Sequence, residues 1–293
     1  MTVAAPRSMS ERLLPYLRLV RAPAVFSVIG DPLAGMLIAS GRLSGMRAVT
    51  LGAAAGATYL SGMALNDLAD REEDARERPH RPIPSGDVPV RHAALLGGAL
   101  LLSGATLASR RGAGATGAAL AGAVLTYNFG GKSTPAGPVV MGLCRSLSLL
   151  TGAEAAGGWQ GVCRAAGASA ILGGYVAGLT IVAQGETEEE GRNRTPLPGV
   201  LLGGVAVAAA MIRGGPRARP WGVLTAALAG PAVMRAVRNP SPSTVGPAVG
   251  AMIRAIPALD AALAAPRAPM RTALIAAPLL GLTRWGRKLI PIS

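Results

Sequence analysis

Charge-poor apolar windows recur along this chain, and they limit its fold more than any other feature. Candidate spans fall at about 22–40, 48–65, 93–108, 113–128, 136–152, 166–184, 197–212, 220–234, 244–264 and 271–284. Each is near the length an α-helix needs to cross the hydrocarbon core of a bilayer. A soluble helix or strand would interleave charge at its own period, and these windows do not. The 40 glycines, with abundant alanine, favour helices whose backbones approach closely in lipid. The expected fold is all-α, a polytopic membrane helical bundle.

A net charge of +14 invites a nucleic-acid reading, and the distribution of that charge excludes it. Basic residues sit at the ends of apolar spans, with few aromatic side chains between them to stack on bases. They make better sense as topology signals. With the N-terminus cytoplasmic, fourteen fall inside: Arg7, Arg12, Arg18, Arg21, Arg71, Arg76, Arg78, Arg81, Arg91, Lys132, Arg192, Arg194, Arg235 and Arg238. Eight fall in outer loops: Arg42, Arg47, Arg110, Arg111, Arg164, Arg213, Arg217 and Arg219. The lean agrees with the positive-inside rule. A tenth span would put Arg284, Arg287 and Lys288 inside as well. Cys144 lies in a span and Cys163 in an expected short outer loop, a placement that suggests neither a disulfide nor a zinc site. The opening residues lack a cleavage site after a short apolar region, so the first apolar stretch is read as a retained helix. The Ala/Arg/Gly bias points to a high-GC bacterium, and the apolar spans to a multi-pass protein of the cell membrane.

Against this background one polar stretch stands out. Asn66-Asp67-Leu68-Ala69-Asp70-Arg71-Glu72-Glu73-Asp74 follows an apolar segment and leads into Arg78-Pro79-His80-Arg81-Pro82-Ile83-Pro84-Ser85-Gly86. On a continuing helix, residues 66, 70 and 74 share a face, with Asp67 beside them. Clustered carboxylates repel unless a cation neutralises them, and hard oxygen ligands suit Mg²⁺, which binds through one or two carboxylates plus substrate phosphates. Arginines beside them can take phosphate oxygens in bidentate fashion. The plainer reading is a solvated helix end with i, i+4 pairs Asp67–Arg71 and Asp74–Arg78. Three charged residues inside spans are secondary candidates: Asp31, Arg145 and Asp260. An unpaired charge there costs several kcal/mol, so either they pair, as Asp31 with Arg145, or they line a cavity. Glu154 reads as interfacial, and His80 and His92 lack metal-ligand partners at useful spacing.

At Asn66, Asp67, Asp70 and Asp74, and at the Arg81 to Gly86 turn, the chain resembles the UbiA superfamily of intramembrane prenyltransferases. Its first motif is N-D-x-x-D-x-x-x-D, followed by R-P-[LI]-P-S-G. Tyr127-Asn128-Phe129-Gly130-Gly131-Lys132 is similar to the family's Tyr-x-x-x-x-Lys segment. Gly137-Pro138 and Met141-Gly142-Leu143-Cys144-Arg145 resemble the EboC-type branch. The family's second motif, D-x-x-x-D, is replaced here by Glu186 and Glu190 at the same spacing of four. The resemblance spans about residues 18–264 and implies one UbiA-like domain over 1–293, with 265–293 a possible additional helix. It implies nine helices around a central cavity, against the ten candidates counted above.

The resemblance further implies a Mg²⁺-dependent transfer of an isoprenyl group from a prenyl diphosphate to a lipophilic acceptor in the membrane, with no nucleic-acid partner. Asp67, Asp70 and Lys132 would be catalytic. Asn66, Arg71, Arg76, Arg78, Arg81 and Lys132 would bind the diphosphate. Asn66, Asp67, Asp70, Asp74, Glu186 and Glu190 would hold metal, while Asp31, Tyr127, Arg145 and Asp260 are cavity candidates. Both acidic motifs would face the cytoplasm. A terpene cyclase of the same superfamily is the alternative, weakened by the scarcity of aromatic faces to steer a cation. A non-catalytic membrane component and a transporter are the readings from other classes. The intact first motif argues against the former, and the latter predicts inverted repeats with broken helices.

Overall fold

Gly-rich apolar segments fold into long helices in this computed structural model, which describes residues 9–185, 195–269, 271–272 and 276–282. Helix α1 (Met9–Leu19) leads through a 3₁₀ turn (Ala22–Ser27) into α2 (Gly30–Ser40). Then come α3 (Gly45–Ala69), the short α4 (Arg71–Glu77), α5 (Val90–Ser109) and α6 (Gly114–Thr126). A π turn (Tyr127–Gly131) precedes α7 (Gly137–Ala183), α8 (Leu197–Arg238) and α9 (Pro242–Ala264). The described residues contain no strand.

Among the described residues, six segments are long and apolar enough to cross a membrane. Two of them exceed that need: α7 has 47 residues and α8 has 42. At about 1.5 Å per residue a straight helix of that length would be roughly twice as long as a bilayer core is thick. Each instead reverses at glycine. Gly158 (φ 55°, ψ −148°) breaks α7 and Gly215 (φ 62°, ψ −150°) breaks α8, in backbone regions that side chains other than glycine's hardly enter. The arms then lie side by side. A Cβ on Gly142 would fall 2.5 Å from the Gly173 oxygen, and Gly222 meets Met211 across the α8 reversal.

The sequence therefore placed spans 136–152 and 166–184 correctly but misjudged what joins them. Cys163 and Arg164, expected in a loop, lie on helix, because the turn needs only Gly157 and Gly158. Cys163 is exposed there, and Arg164 donates to the Ala39 carbonyl at 2.9 Å. Of the tenth candidate span, 271–272 and 276–282 are described and helical, with Thr272, Ala276 and Leu279 buried.

Packing divides into two parts. One core joins α2, α7, α8 and α9 through Leu37, Leu149, Leu172, Ala210 and Leu259, all buried. Smaller clusters join α3 to α5 and α6 through Leu65, Leu101 and Leu120. Helices α5 and α8 present Leu95, Leu102, Leu201, Val205 and Ile212 outward, the faces that lipid would cover. The tightest crossing is α2 on α7. A Cβ at Gly35 would sit 1.9 Å from the Leu149 oxygen, and one at Gly152 would sit 1.8 Å from the Pro32 oxygen. Only glycine lets the backbones approach this far.

Gly152→Ala is therefore expected to lower stability by about 1–3 kcal/mol through overpacking. Gly98→Ala, whose Cβ would meet nothing within 4 Å, is expected to be neutral or stabilising by up to about 1 kcal/mol. Thermal unfolding of the detergent-solubilised proteins checks both. Equal melting of the two variants would contradict the packing described.

Candidate active site

Helix α3 ends where its apolar run gives way to carboxylates. Its last residue is Ala69, and Asp70 departs from helical geometry (φ −88°, ψ 2°) before α4 resumes. The expected single face of residues 66, 70 and 74 is therefore split. Asn66 and Asp70 pair with each other, the Asn66 amide donating to Asp70 Oδ2 at 3.0 Å. Asp67 and Asp74 meet a common partner, Arg81.

The loop that carries Arg81 is folded by its own sequence. Proline at 82 and 84 fixes the backbone, Gly86 supplies φ 80°, and Ser85 N–H bonds to the Arg81 oxygen at 2.9 Å. Ile83 and Val88 bury against Leu19 and Ala64, pinning the loop to α1 and α3. Arg81 Nη1 then reaches Asp74 Oδ2 at 2.6 Å and Asp67 Oδ1 at 3.5 Å. Arg78 lies 3.7 Å from the other Asp74 oxygen. Arg71 turns instead to Glu72 and the Leu68 carbonyl, and Arg76 is exposed on α4.

From the far side of the site comes Lys132. The π turn, with Gly130 at φ 145°, carries it over α3, where its ammonium contacts Asp70 Oδ1 and lies 3.3 Å from Asn66 Oδ1. A fourth cation was not singled out as a site residue from the sequence. Arg21 adopts a left-handed backbone (φ 47°), and its Nη2 donates to Asp67 Oδ1 at 3.1 Å. Its partner is 46 residues away, so no local spacing announced it; in the sequence it looked like one more topology charge.

Among the described residues, three carboxylates (Asp67, Asp70, Asp74) thus stand against four cations (Arg21, Arg78, Arg81, Lys132), an excess of one positive charge. An anionic group arriving here finds partners already oriented. Asp67 and Asp74 are buried, so their arginines offset a desolvation cost that would otherwise be several kcal/mol.

Beside this cluster opens a cavity of about 520 Å³, walled by the 3₁₀ turn and by α3, α6, α7 and α9. Arg21, Tyr59, Tyr127, Asn128 and Arg145 are on its wall, amid apolar side chains such as Leu120, Val124, Met141, Leu179 and Ile256. Of the four cavity candidates, Tyr127 and Arg145 line it. Asp31 lies behind Arg145, accepting from Nη2 at 2.7 Å, and the same Nη2 donates to the Ser27 carbonyl at 2.8 Å. Asp260 faces a separate void of about 10 Å³ beside Gly30 and Thr272. Glu154 accepts from the backbone N–H and the hydroxyl of Thr116, capping the start of α6. Glu186 and Glu190 lie outside the described residues.

No three acidic, His or Cys side chains among the described residues form a ready metal cage. The donor chemistry nevertheless fits Mg²⁺, which asks for few protein oxygens and takes the rest from phosphate and water. Lys132 marks the place, because its ammonium sits on the Asn66 and Asp70 oxygens together.

A helical membrane bundle with an ion-paired cluster at the rim of an apolar cavity is the class that fold and site define. The chain belongs to the UbiA prenyltransferase family, whose sequence model matches residues 32–238. Proteins of this family are integral to membranes. No curated protein sequence matches the chain closely. Among solved structures, a UbiA homologue from Aeropyrum pernix K1 in its apo state aligns with TM-score 0.69 at 19% identity, over 80% of this chain and 96% of that one. A digeranylgeranylglyceryl phosphate synthase aligns with TM-score 0.61 at 20% identity, over 87% and 98%. A UbiA homologue from Archaeoglobus fulgidus bound to GPP and Mg²⁺ aligns with TM-score 0.57 at 12% identity, over 94% and 99%. These likenesses establish the fold.

Arg81→Gln would strand Asp67 and Asp74 with less charge compensation and is expected to cost about 3–5 kcal/mol. Adding Asp74→Asn should recover part of the loss. A double-mutant cycle by thermal unfolding without Mg²⁺ measures the coupling; strictly additive losses would show that the pair does not interact.

Proposed function

We propose that this chain is a Mg²⁺-dependent prenyltransferase, moving an isoprenyl group from its diphosphate to a lipophilic acceptor within the membrane. The observation that carries the reading is the cluster of carboxylates and surplus cations opening onto an apolar cavity: charge for the diphosphate, hydrocarbon for the tail. Family membership supports prenyl transfer in general. We further propose that the whole chain is one domain. Counting the paired arms of α7 and α8 separately turns the six apolar segments into eight, and α6 would be a ninth span over the described residues, with the acidic motifs cytoplasmic. The likeness of Gly137-Pro138 and Met141 to Arg145 to the EboC-type branch supports a place in that branch.

In this reading Asn66, Asp67, Asp70 and Asp74 supply metal ligands, with Asn66 and Asp70 the pair that already share a cation. Glu186 and Glu190 would contribute to a second metal. When bound, Mg²⁺ offsets the negative charge that gathers on the departing diphosphate. Lys132 and Arg21 would bind diphosphate oxygens, and Arg78 and Arg81 would add donors from the loop. The C1–O bond breaks with its electron pair leaving on diphosphate, and the acceptor's nucleophilic atom bonds to the allylic cation. The proton that the acceptor gives up passes to the diphosphate. The apolar wall keeps water from quenching the cation. Among the described residues, Tyr59 and Tyr127 are the aromatic faces on the cavity wall, fewer than a cation-folding cyclase would need.

Purified protein in lipid, given labelled prenyl diphosphates and a membrane extract, should yield a conjugate heavier than the prenyl group only when Mg²⁺ is present. Asp70→Ala and Lys132→Ala should each lower turnover by about 10²-fold or more. A ring-closed, acceptor-free hydrocarbon or alcohol would replace this reading with cyclisation. Undiminished product from both variants would refute the site.

A further inference from the structure

Lys132 differs from the other cations of the cluster in kind and in how it is held. Arg81 is fixed between Asp67 and Asp74, and Arg21 between Asp67 and the Met63 sulfur at 3.1 Å. A guanidinium presents its donors in a rigid fork, whereas a lysine ammonium is a point charge on a flexible stem with three rotatable donors. Lys132 leaves the chain just after the π turn, where Phe129 (φ −104°, ψ 39°) and Gly130 (φ 145°, ψ −34°) depart from helical geometry. Among the described residues it is the cation that pairs with Asp70.

The two oxygens under its ammonium are set as a pair. Asn66 Nδ2 donates to Asp70 Oδ2 at 3.0 Å, and that bond leaves Asn66 Oδ1 and Asp70 Oδ1 facing the same cation. A hard divalent ion would use these two oxygens and complete its shell with water and phosphate oxygens. It cannot share them with the ammonium, because two cations in contact with the same atoms repel. Asp67 and Asp74 are held by arginines, and the cluster carries its surplus positive charge, so a bare ion finds no open carboxylate among the described residues. To bind by itself it has to break the Lys132–Asp70 pair. That leaves an ammonium only 17% exposed without its carboxylate. A diphosphate changes the balance: its oxygens give the ammonium a new partner and give the metal its remaining ligands.

We propose, resting on the prenyltransferase reading, that Lys132 is a tethered cation that holds the Asn66–Asp70 pair until diphosphate arrives. Metal then binds together with prenyl diphosphate and not ahead of it. Lys132 passes from Asp70 to the diphosphate and frees the Asn66 and Asp70 oxygens for the metal. By linkage, diphosphate tightens metal binding by the same factor as metal tightens diphosphate binding. Removing the ammonium opens the pair to a bare metal ion.

The test counts free Mn²⁺, standing in for Mg²⁺, by its electron paramagnetic resonance signal over protein in phosphatidylcholine nanodiscs, with empty nanodiscs as the blank. Titrations are run with and without a non-reactive geranyl thiolodiphosphate, whose own Mn²⁺ binding is measured alone and subtracted. Wild type should bind Mn²⁺ about 10-fold or more tighter with the analogue than without it. Lys132→Met and Lys132→Gln, checked for folding by thermal melting, should each bind Mn²⁺ alone about 10-fold or more tighter than wild type does. Asp70→Asn added to either variant should abolish that gain, which separates it from any binding at Glu186 and Glu190. Mn²⁺ binding to both lysine variants that is no tighter than to wild type overturns the proposal. The metal–diphosphate reading survives that result if the analogue still tightens Mn²⁺ binding in wild type. Absence of analogue binding to every protein, with Mn²⁺ present, overturns the prenyltransferase reading as well.

Discussion

The guanidinium of Arg81, shared between Asp67 and Asp74, is the contact on which the charged end of this molecule depends. Two carboxylates buried at a helix end are unfavourable neighbours, at roughly 3–5 kcal/mol for an uncompensated member of a buried pair. Arg81, with Arg21 and Arg78 around it, lets them stand. It does so from a loop whose proline and glycine positions, and whose buried Ile83 and Val88, leave it little freedom. Asp70 is thereby separated from its acidic neighbours and left to Asn66 and Lys132. The split is what gives the site two functions: a fixed ion-paired frame, and a smaller oxygen pair that already binds a cation.

The apolar end is set by a different constraint, the closeness that glycine permits. Pressing α2 against α7 at Gly35 and Gly152 puts Asp31 within 2.7 Å of Arg145. One charge pair deep in the bundle is thus built by the same crossing that shapes the core. Reversals at Gly158 and Gly215 fold two very long helices back on themselves, so that α7 alone supplies Arg145 on one arm and Leu179 and Thr180 on the other to a single cavity wall. Packing and pocket are one arrangement.

Much of this could be read in the sequence. The apolar windows located the helices because lipid requires long uninterrupted apolar runs. The motif residues were visible because carboxylates are rare in such a chain. The Asp31–Arg145 pair was legible because each is costly alone in a span. What escaped had no local signature. Arg21 reaches Asp67 through tertiary packing. The helical placement of Cys163 and Arg164 depends on a two-residue glycine reversal rather than a loop. The grouping of Asp67 with Asp74 followed from a helix break at Asp70, which spacing does not announce.

The most direct measurement is equilibrium binding of a non-reactive thiolo analogue of a prenyl diphosphate to the protein in lipid, with and without Mg²⁺. Wild type would be compared with Asp70→Asn and Arg21→Gln. Tight binding that requires Mg²⁺, is lost in Asp70→Asn, and is weakened about 10-fold or more in Arg21→Gln is the expected result. Binding of equal strength without Mg²⁺ in all three proteins would contradict the assignment of this cluster as a metal–diphosphate site.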